Sequence, residues 1–472
     1  MADRPYKNIV IVAIDEKSLK EQGRWPWNRK TIAKLIDKLF TQYKAKVVGL
    51  DVVFAEKDES SGLDRLEKIR DHYLQSDNNF NKVFESIKSS LDYDQLLADS
   101  IKNKNVVLGY YFNQSSNVES VGLLPKPIFE SDYFNGLDIR FIENKSFGAN
   151  LPLLQVHARD AGYFNFQPGV DGVLRSIPMV EMFNGNYYAS LSLAIAKLAL
   201  NCDDVEPDLL IDTSDKSKKL LNANIHALKL CDHEIPLDEN LEAFIPYAGH
   251  KGIFKYISAT DVINEKVKRG DIQNSIVLIG ATAPGLLDLR TSPIDTIYPG
   301  VEAHANMIGG ILNGSIKSYP EFSSSIEFCL ILLLGLTLSF VLPKLSPTSS
   351  TLVTVSLLTV LIFSDLYIWH YHNMVLKVAP LIISVMAIYI LNMAVGFVYE
   401  SRGKRQLANM FGQYVPPQLV KEMAKNPDTY NLESRNQVIT VLFSDVRGFT
   451  NISEKLNPES LSDLMNEYLN RH

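Results

Sequence analysis

One stretch near the C-terminus carries residue types suited to phosphate and metal chemistry: Val438-Ile-Thr-Val-Leu-Phe-Ser-Asp-Val-Arg-Gly-Phe-Thr450. Val438 to Phe443 is a β-branched and aromatic run, which predicts a buried strand. Asp445 follows at the strand end, where α/β sheets place ligand groups. Gly448 permits a tight turn, and backbone N–H groups at a helix start favour anions such as phosphate. A carboxylate beside such a turn suits a Mg²⁺–polyphosphate site, because Mg²⁺ takes one or two carboxylates plus phosphate oxygens. The same residues fit an Asp that caps a βα turn, and spacing does not choose between the two. Asp15 and Asp51 form a second candidate pair, each ending an apolar run. A βαβ unit would bring them together at the carboxyl edge of a sheet, as a ligand or metal site or as two capping residues; capping is the commoner use of Asp.

The elements that must position these groups follow from periodicity. The chain has 472 residues, 46% hydrophobic and 21% charged, which predicts more than one domain of ordinary globular composition. A net charge of −7 gives no bulk attraction to nucleic acid, so no nucleic-acid partner is expected. Ile9–Ile14 and Val47–Leu50, continued by Val52–Phe54, read as buried strands. Between them Ile32, Leu35, Ile36, Leu39, Phe40 and Tyr43 recur at helical spacing, completing a βαβ unit with its two strands paired in parallel. Residues 56–104 are charged and helical in pattern, and Val106–Phe112 is a further strand. Gly162–Phe166 and Val173–Val180 predict a hairpin across Pro168–Gly172. A helix over Ala189–Leu200, strands at Phe244–Tyr247 and Ser275–Ile279, and a helix over Val301–Leu312 carrying Glu302 and His304 complete this region. Gly280 and Gly285 have P-loop spacing, but Leu286-Leu287 replaces the Lys-Ser/Thr pair, which argues against a Walker-type nucleotide site. Three cysteines exclude a disulfide scaffold. Cys202 and Cys231 are expected as two buried thiols, with a disulfide as the alternative if the region is exported, and Cys329 as a packing residue.

Ser325–Leu342, Thr351–His370 and Val378–Tyr399 each approach the length of a bilayer core, and three such segments within about 75 residues predict a multi-pass membrane protein. Lys344 lies after the first, and Arg402, Lys404 and Arg405 follow the third, whereas His370–Met374 has no Lys or Arg, although Lys377 lies just beyond. The positive-inside rule then puts the C-terminal end in the cytoplasm and the large N-terminal region outside. Asp365 sits near the outer end of the second segment and is expected to reach the interface. Beyond Glu400, Leu407, Met410, Phe411 and Tyr414 form an apolar stripe that predicts a dimer helix, ended by Pro416-Pro417; a short second helix carries Leu419, Val420 and Met423.

Two resemblances add to this. Phe443-Ser-Asp-Val-Arg-Gly-Phe-Thr450, with Ile452-Ser453 and a helix led by Pro458, resembles the opening of a class III nucleotide cyclase domain. The resemblance implies that Asp445 binds two metal ions (Mg²⁺ or Mn²⁺), that the Val446 carbonyl joins one of them, and that Gly448, Phe449 and Thr450 hold the triphosphate. It covers about the last 35 residues; the family's second metal Asp, base-selecting residues and transition-state Asn/Arg pair fall beyond His472. Phe411-Gly-Gln-Tyr-Val-Pro416 is similar to the linker before such domains. Separately, Ile9–Asp15, Gly23-Arg-Trp-Pro-Trp-Asn-Arg29, Val48-Gly-Leu-Asp51, Asp171-Gly-Val-Leu-Arg175, Ile279-Gly-Ala-Thr-Ala-Pro-Gly285 and Pro299-Gly-Val-Glu-Ala-His-Ala305 resemble the CHASE-two family of extracellular sensors. That family usually carries a membrane helix ahead of the sensor, whereas this sequence opens on a short polar lead without a secretory apolar region.

The sequence therefore predicts an α/β protein with four parts: a large sensor with a mainly parallel sheet over 1–320, three transmembrane helices over 321–399, a coupling helix and linker over 400–437, and the start of an α/β cyclase domain over 438–472. The expected protein is a receptor-type adenylate cyclase of the cell inner membrane, homodimeric, taking ATP as substrate and an unknown extracytoplasmic ligand as signal. The residues given are expected to be inactive alone. A non-enzymatic membrane sensor or scaffold and a guanylate cyclase are the alternatives; no kinase motif follows residue 400.

Overall fold

Ile9–Ile14 forms strand β1 with all six side chains buried. In this computed structural model it lies inside a parallel sheet with Val47–Leu50 (β2), Val106–Asn113 (β3), Asp160–Tyr163 (β4), Lys255–Ser258 (β5) and Ile276–Ala281 (β6), in the order β5-β1-β6-β2-β3-β4. Ser146–Gly148 extends the far end of β3 in antiparallel fashion. The structure describes residues 6–211, 220–283, 285, 286, 289–320 and 323–411, and from 438 onward all but 439, 442, 444 and 472. It divides into two units, Met1–Asn392 and Met393–His472.

Both faces of the sheet are covered, which is why its strands are near-continuous apolar runs. Val10, Val12 and Ile14 point to the face covered by α2 (Arg29–Thr41) and α5 (Tyr93–Ile101), through Ile32, Leu35, Ile36, Leu97 and Ile101. Ile9 and Ile11 point to the opposite face, covered by α7 (Leu191–Leu200) and α9 (Gly300–Asn313), through Ile195, Val301 and Ile308. The expected α/β class with a mainly parallel sheet is thus the observed one. Of the remaining helices, α1 (Glu16–Gln22) precedes α2, a pair, α3 (Leu63–Tyr73) and α4 (Asn78–Leu91), precedes α5, α6 (Pro152–Gln155) precedes β4, and α8 (Ala259–Ile263) follows β5.

Pairing differs from expectation in three places. β1 and β2 are not neighbours: β6, more than 200 residues later, inserts between them. The hairpin over 162–180 does not form, because β4 is taken up by β3 in parallel, while Ser176–Pro178 pairs with Glu242–Phe244. Val52–Phe54 does not continue β2, which ends at Leu50. Around Met307 and Ile311 of α9 a second core gathers, with Phe129, Phe134, Ile177, Met179, Ile225, Leu228 and Ile235 from the β-rich segments. One of these is the antiparallel meander Val205–Ile211, Leu221–Leu230, His233–Pro236.

The start of α7 lies directly on β4. A Cβ at Gly162 would fall 2.5 Å from Leu191 Cα and 2.6 Å from the Ser190 carbonyl oxygen. Those neighbours are backbone, so they cannot rotate away. Gly162→Ala is expected to cost about 1–3 kcal/mol, read as a lowered sensor melting temperature.

After α9 come three apolar helices, α10 (Ser323–Val341), α11 (Pro347–Tyr371) and α12 (Ala379–Phe411), at the three expected positions. At 1.5 Å per residue the 19 residues of α10 reach about 28 Å, close to the ~30 Å of a bilayer core, and the other two are longer. Leu338, Leu342 and Val385 form a small shared core with Leu357, Leu361 and Ile388. The outward surface is apolar, with Phe328, Leu333, Phe340, Leu352, Phe363 and Ile383 exposed. Such a surface suits lipid and not water.

In the second unit α12 runs unbroken to Phe411. The side chains of Leu407, Met410 and Phe411, and residues 412–437 with Tyr414, Pro416-Pro417 and the short second helix, lie outside the described residues. The strand expected over Val438–Phe443 is not formed by its described residues, and Val438 and Phe443 are fully or largely exposed. β-propensity reflects packing on a pleated, half-buried surface, and no neighbouring strand is described in this unit to supply one. The turn and helices that follow are as expected: Gly448 adopts φ +79° and opens α13 (Phe449–Ser453), and Pro458 leads α14 (Pro458–Arg471).

Candidate functional site

The sensor candidates Asp15 and Asp51 both lie at the carboxyl edge of the sheet, but β6 separates their strands. Two strand spacings put them about 10 Å apart. Asp15 is the N-cap of α1: Oδ1 accepts from the Ser18 N–H at 2.8 Å and Oδ2 accepts from the Ser258 hydroxyl. Burial pushes the Asp15 pKa up, but the hydrogen bonds from Ser258 and Ser18 outweigh it and hold it below the ordinary value. The Asp51 N–H donates to the Ile279 carbonyl at 2.9 Å, tying β2 to β6. Among the described residues no group of three or more His, Cys, Asp or Glu side chains is placed to hold a metal.

The edge does have a feature that favours ligands. β1 leads into α1 and α2 on one face, while its neighbour β6 leads towards α9 on the other. Neighbouring strands whose connections part to opposite faces leave a crevice beyond their carboxyl ends. A cleft of about 350 Å³ is lined by Lys251, Tyr256, Leu289, Ile297 and Pro299 together with Thr282, the residue after β6. A second, acidic cleft of about 360 Å³ lies beside α3–α5 and includes Asp58, Asp64, Glu67, Asp92 and Asp94. The Arg29 guanidinium stacks on Phe54 at 4.6 Å, donates to the Glu56 carbonyl at 2.9 Å and lies 3.6 Å from Asp94.

Periodicity carried no sign of what α9 does with its polar residues. Glu302, His304 and Asn306 are all fully buried. The Glu302 carboxylate accepts from the Gly252 N–H at 2.9 Å and the Tyr256 hydroxyl at 2.7 Å; burial raises its pKa despite these bonds. Asn306 accepts from the Ala248 N–H and donates to the Tyr298 hydroxyl at 2.8 Å. His304 Nδ1 bonds the Ser192 hydroxyl at 2.8 Å, and burial lowers its pKa to about 3, so the ring is neutral. These side chains fasten the Ala248–Phe254 segment and α7 to α9. The Asp171–Arg175 motif is likewise structural: Arg175 donates to both Asp171 oxygens, at 2.9 and 2.7 Å, across an exposed turn.

Cys202 and Cys231 form a disulfide, not the expected pair of thiols. It ties the residue after the C-cap of α7 to the turn between the last two strands of the meander. Disulfides persist in oxidising compartments and are rare in the cytosol.

Residues 1–337 match the CHASE2 domain family. The chain belongs to that family. A CHASE2 sensor of the extracellular type followed by three apolar helices is the organisation of a membrane sensor. No curated protein and no solved structure matches the chain.

The cyclase candidates occupy the second unit. Asp445 is exposed at the end of the irregular stretch, Val446 is next to it, and Gly448–Thr450 form the turn and first residues of α13. The Phe449 N–H donates to the Val446 carbonyl at 3.1 Å, so that carbonyl is engaged in the turn. With Asp445 as the one carboxylate of the candidate set, the described residues do not make a two-ion site by themselves.

Proposed function

We propose that this CHASE2 protein is a membrane receptor with its sensor outside the cytoplasm and its C-terminal segment inside, driving a class III nucleotide cyclase that forms cyclic AMP and pyrophosphate from ATP. The observation that supports the placement is the Cys202–Cys231 disulfide in a domain joined to three apolar helices. An odd number of crossings puts the two ends on opposite sides of the bilayer, and the oxidised end belongs outside. The cation pattern agrees: Lys344, Arg402, Lys404 and Arg405 flank the ends assigned to the cytoplasm. An inner-membrane location follows from the same reading.

The cyclase output rests on the resemblance of residues 443–458. Asp445 and Val446 would be this chain's share of a site for Mg²⁺ or Mn²⁺, and Gly448, Phe449 and Thr450 its share of the phosphate contacts. The dimer expected of such cyclases would form through α12. A second reading, a non-enzymatic membrane sensor or scaffold, draws on the irregular, exposed residues described within 438–443. The discriminating assay joins residues 1–472 to a complete class III catalytic domain and supplies ATP or GTP with Mn²⁺. Cyclic nucleotide formation that changes when the sensor is altered supports a receptor that drives a cyclase; output indifferent to the sensor overturns the regulatory part.

A further inference from the structure

The segment that leaves the sensor does not pass straight into α10. It first docks on the loop between α11 and α12. The Ser318 N–H donates to the Asn373 carbonyl at 2.8 Å and the Val375 N–H donates to the Ser318 carbonyl at 2.9 Å, a short parallel bridge between Ser318 and Met374. Lys317 reaches across the same junction: Nζ donates to the Trp369 carbonyl at 2.5 Å and to Asn373 Oδ1 at 2.8 Å, and it lies 5.1 Å from the Trp369 ring centre. From the other side Lys377 lies over the Tyr319 ring at 5.7 Å, and Tyr319 packs edge-on against Phe244 of the sensor at 5.0 Å.

The chemistry of α11's end explains why a lysine sits there. The last carbonyls of a helix have no partner within it and carry the negative end of its dipole, so a cation is favoured. Trp369 is in the last turn of α11, and Lys317 takes its carbonyl. Asn373 then adopts φ +51°, a left-handed conformation that Asn tolerates, and this turns the chain onto Ser318. The loop is short: six residues after Asn373, α12 begins at Ala379.

The sensor is therefore attached to the apolar helices twice, once through the chain into α10 and once through this clasp to the last turn of α11 and the loop that leads into α12. α12 is the helix that runs on towards the C-terminal segment. We propose that the clasp of Lys317 and Ser318 with Trp369, Asn373 and Val375 is where the sensor delivers its movement to α12. This rests on the reading of the chain as a membrane receptor, and it does not depend on which output domain follows.

The test uses the full chain in lipid nanodiscs. Hydrogen exchange at the Val375 amide reads the clasp itself, and an environment-sensitive fluorescent residue at position 402 reads α12. Losing a hydrogen bond to a charged group corresponds to about a tenfold change. Lys317→Ala is expected to speed Val375 exchange about tenfold and to shift the emission of the probe, while Lys317→Arg, which keeps the donor, moves both much less. Sensor melting should stay at its original temperature in both variants. Unchanged Val375 exchange in Lys317→Ala would overturn the clasp; faster exchange with a silent probe would overturn its role in transmission. Neither readout uses nucleotide turnover, so a negative cyclase assay leaves this inference standing.

Discussion

Replacing Glu181 by glutamine is expected to stabilise the sensor by about 3 kcal/mol above pH 7 and to leave it unchanged below pH 4.5. Glu181 lies on the strand Val180–Phe183 and is 1% exposed. Oε2 accepts from Asn144 at 2.7 Å, and around it stand the buried rings of Tyr110 and Tyr163. Burial pushes its pKa from 4.5 up to about 7, against the Asn144 hydrogen bond and with help from the charge of Glu242. A carboxyl raised in this way binds its proton more tightly folded than unfolded. Its contribution is fully present below the unfolded value near 4.5 and is lost as pH rises through about 7. Gln keeps an oxygen for Asn144 and does not ionise. His304 has the opposite slope, since its lowered pKa removes stability as pH falls below 6.5. For that reason the quantity to measure is the difference between variant and wild type in denaturant melts from pH 4.5 to 7.5. A difference that does not vary with pH would remove Glu181 as a buried ionisable group.

Removing the disulfide by Cys202→Ala with Cys231→Ala is expected to cost about 3–4 kcal/mol, the loop-closure value for residues 29 apart in sequence. The bond fixes the end of α7, a helix in contact with β2, β3 and β4, to the meander in the second core. The loss should therefore appear as a lower melting temperature for the whole sensor, and reduction of the wild type should reproduce it. Equal melting of oxidised and reduced protein would show that the bond adds nothing to the fold.

The layers of the sensor were legible because their signals are local. Six apolar residues in a row at Ile9–Ile14, β-branched in five of the six positions, fit a strand covered on both faces, and Ile32 to Leu39 mark one apolar helix face. The three long apolar helices were legible for the same reason. What stayed hidden was set by distant residues. Nothing near β1 or β2 announces that β6 will separate them, and this moved Asp15 and Asp51 apart. The hairpin over 162–180 was a sound local reading that lost to pairing of β4 with β3. At the candidate sites, Asp15 was legible as a cap, whereas the burial of Glu302 and His304 depends on how deeply α9 is enclosed. Val438–Phe443 shows the converse, a run with strand propensity but no described strand beside it.

On the proposed reading, the sensor and the end of α12 are expected on opposite sides of a bilayer. Single cysteines at Glu119 in an exposed sensor loop and at Arg402 near the end of the apolar helices test it, in a Cys329→Ser background that keeps the Cys202–Cys231 bond. Sealed vesicles oriented with the outer face exposed are treated with a membrane-impermeant maleimide before and after permeabilisation. Glu119→Cys should label at once and Arg402→Cys only after the membrane is opened. Labelling of both positions from the same side would contradict the account.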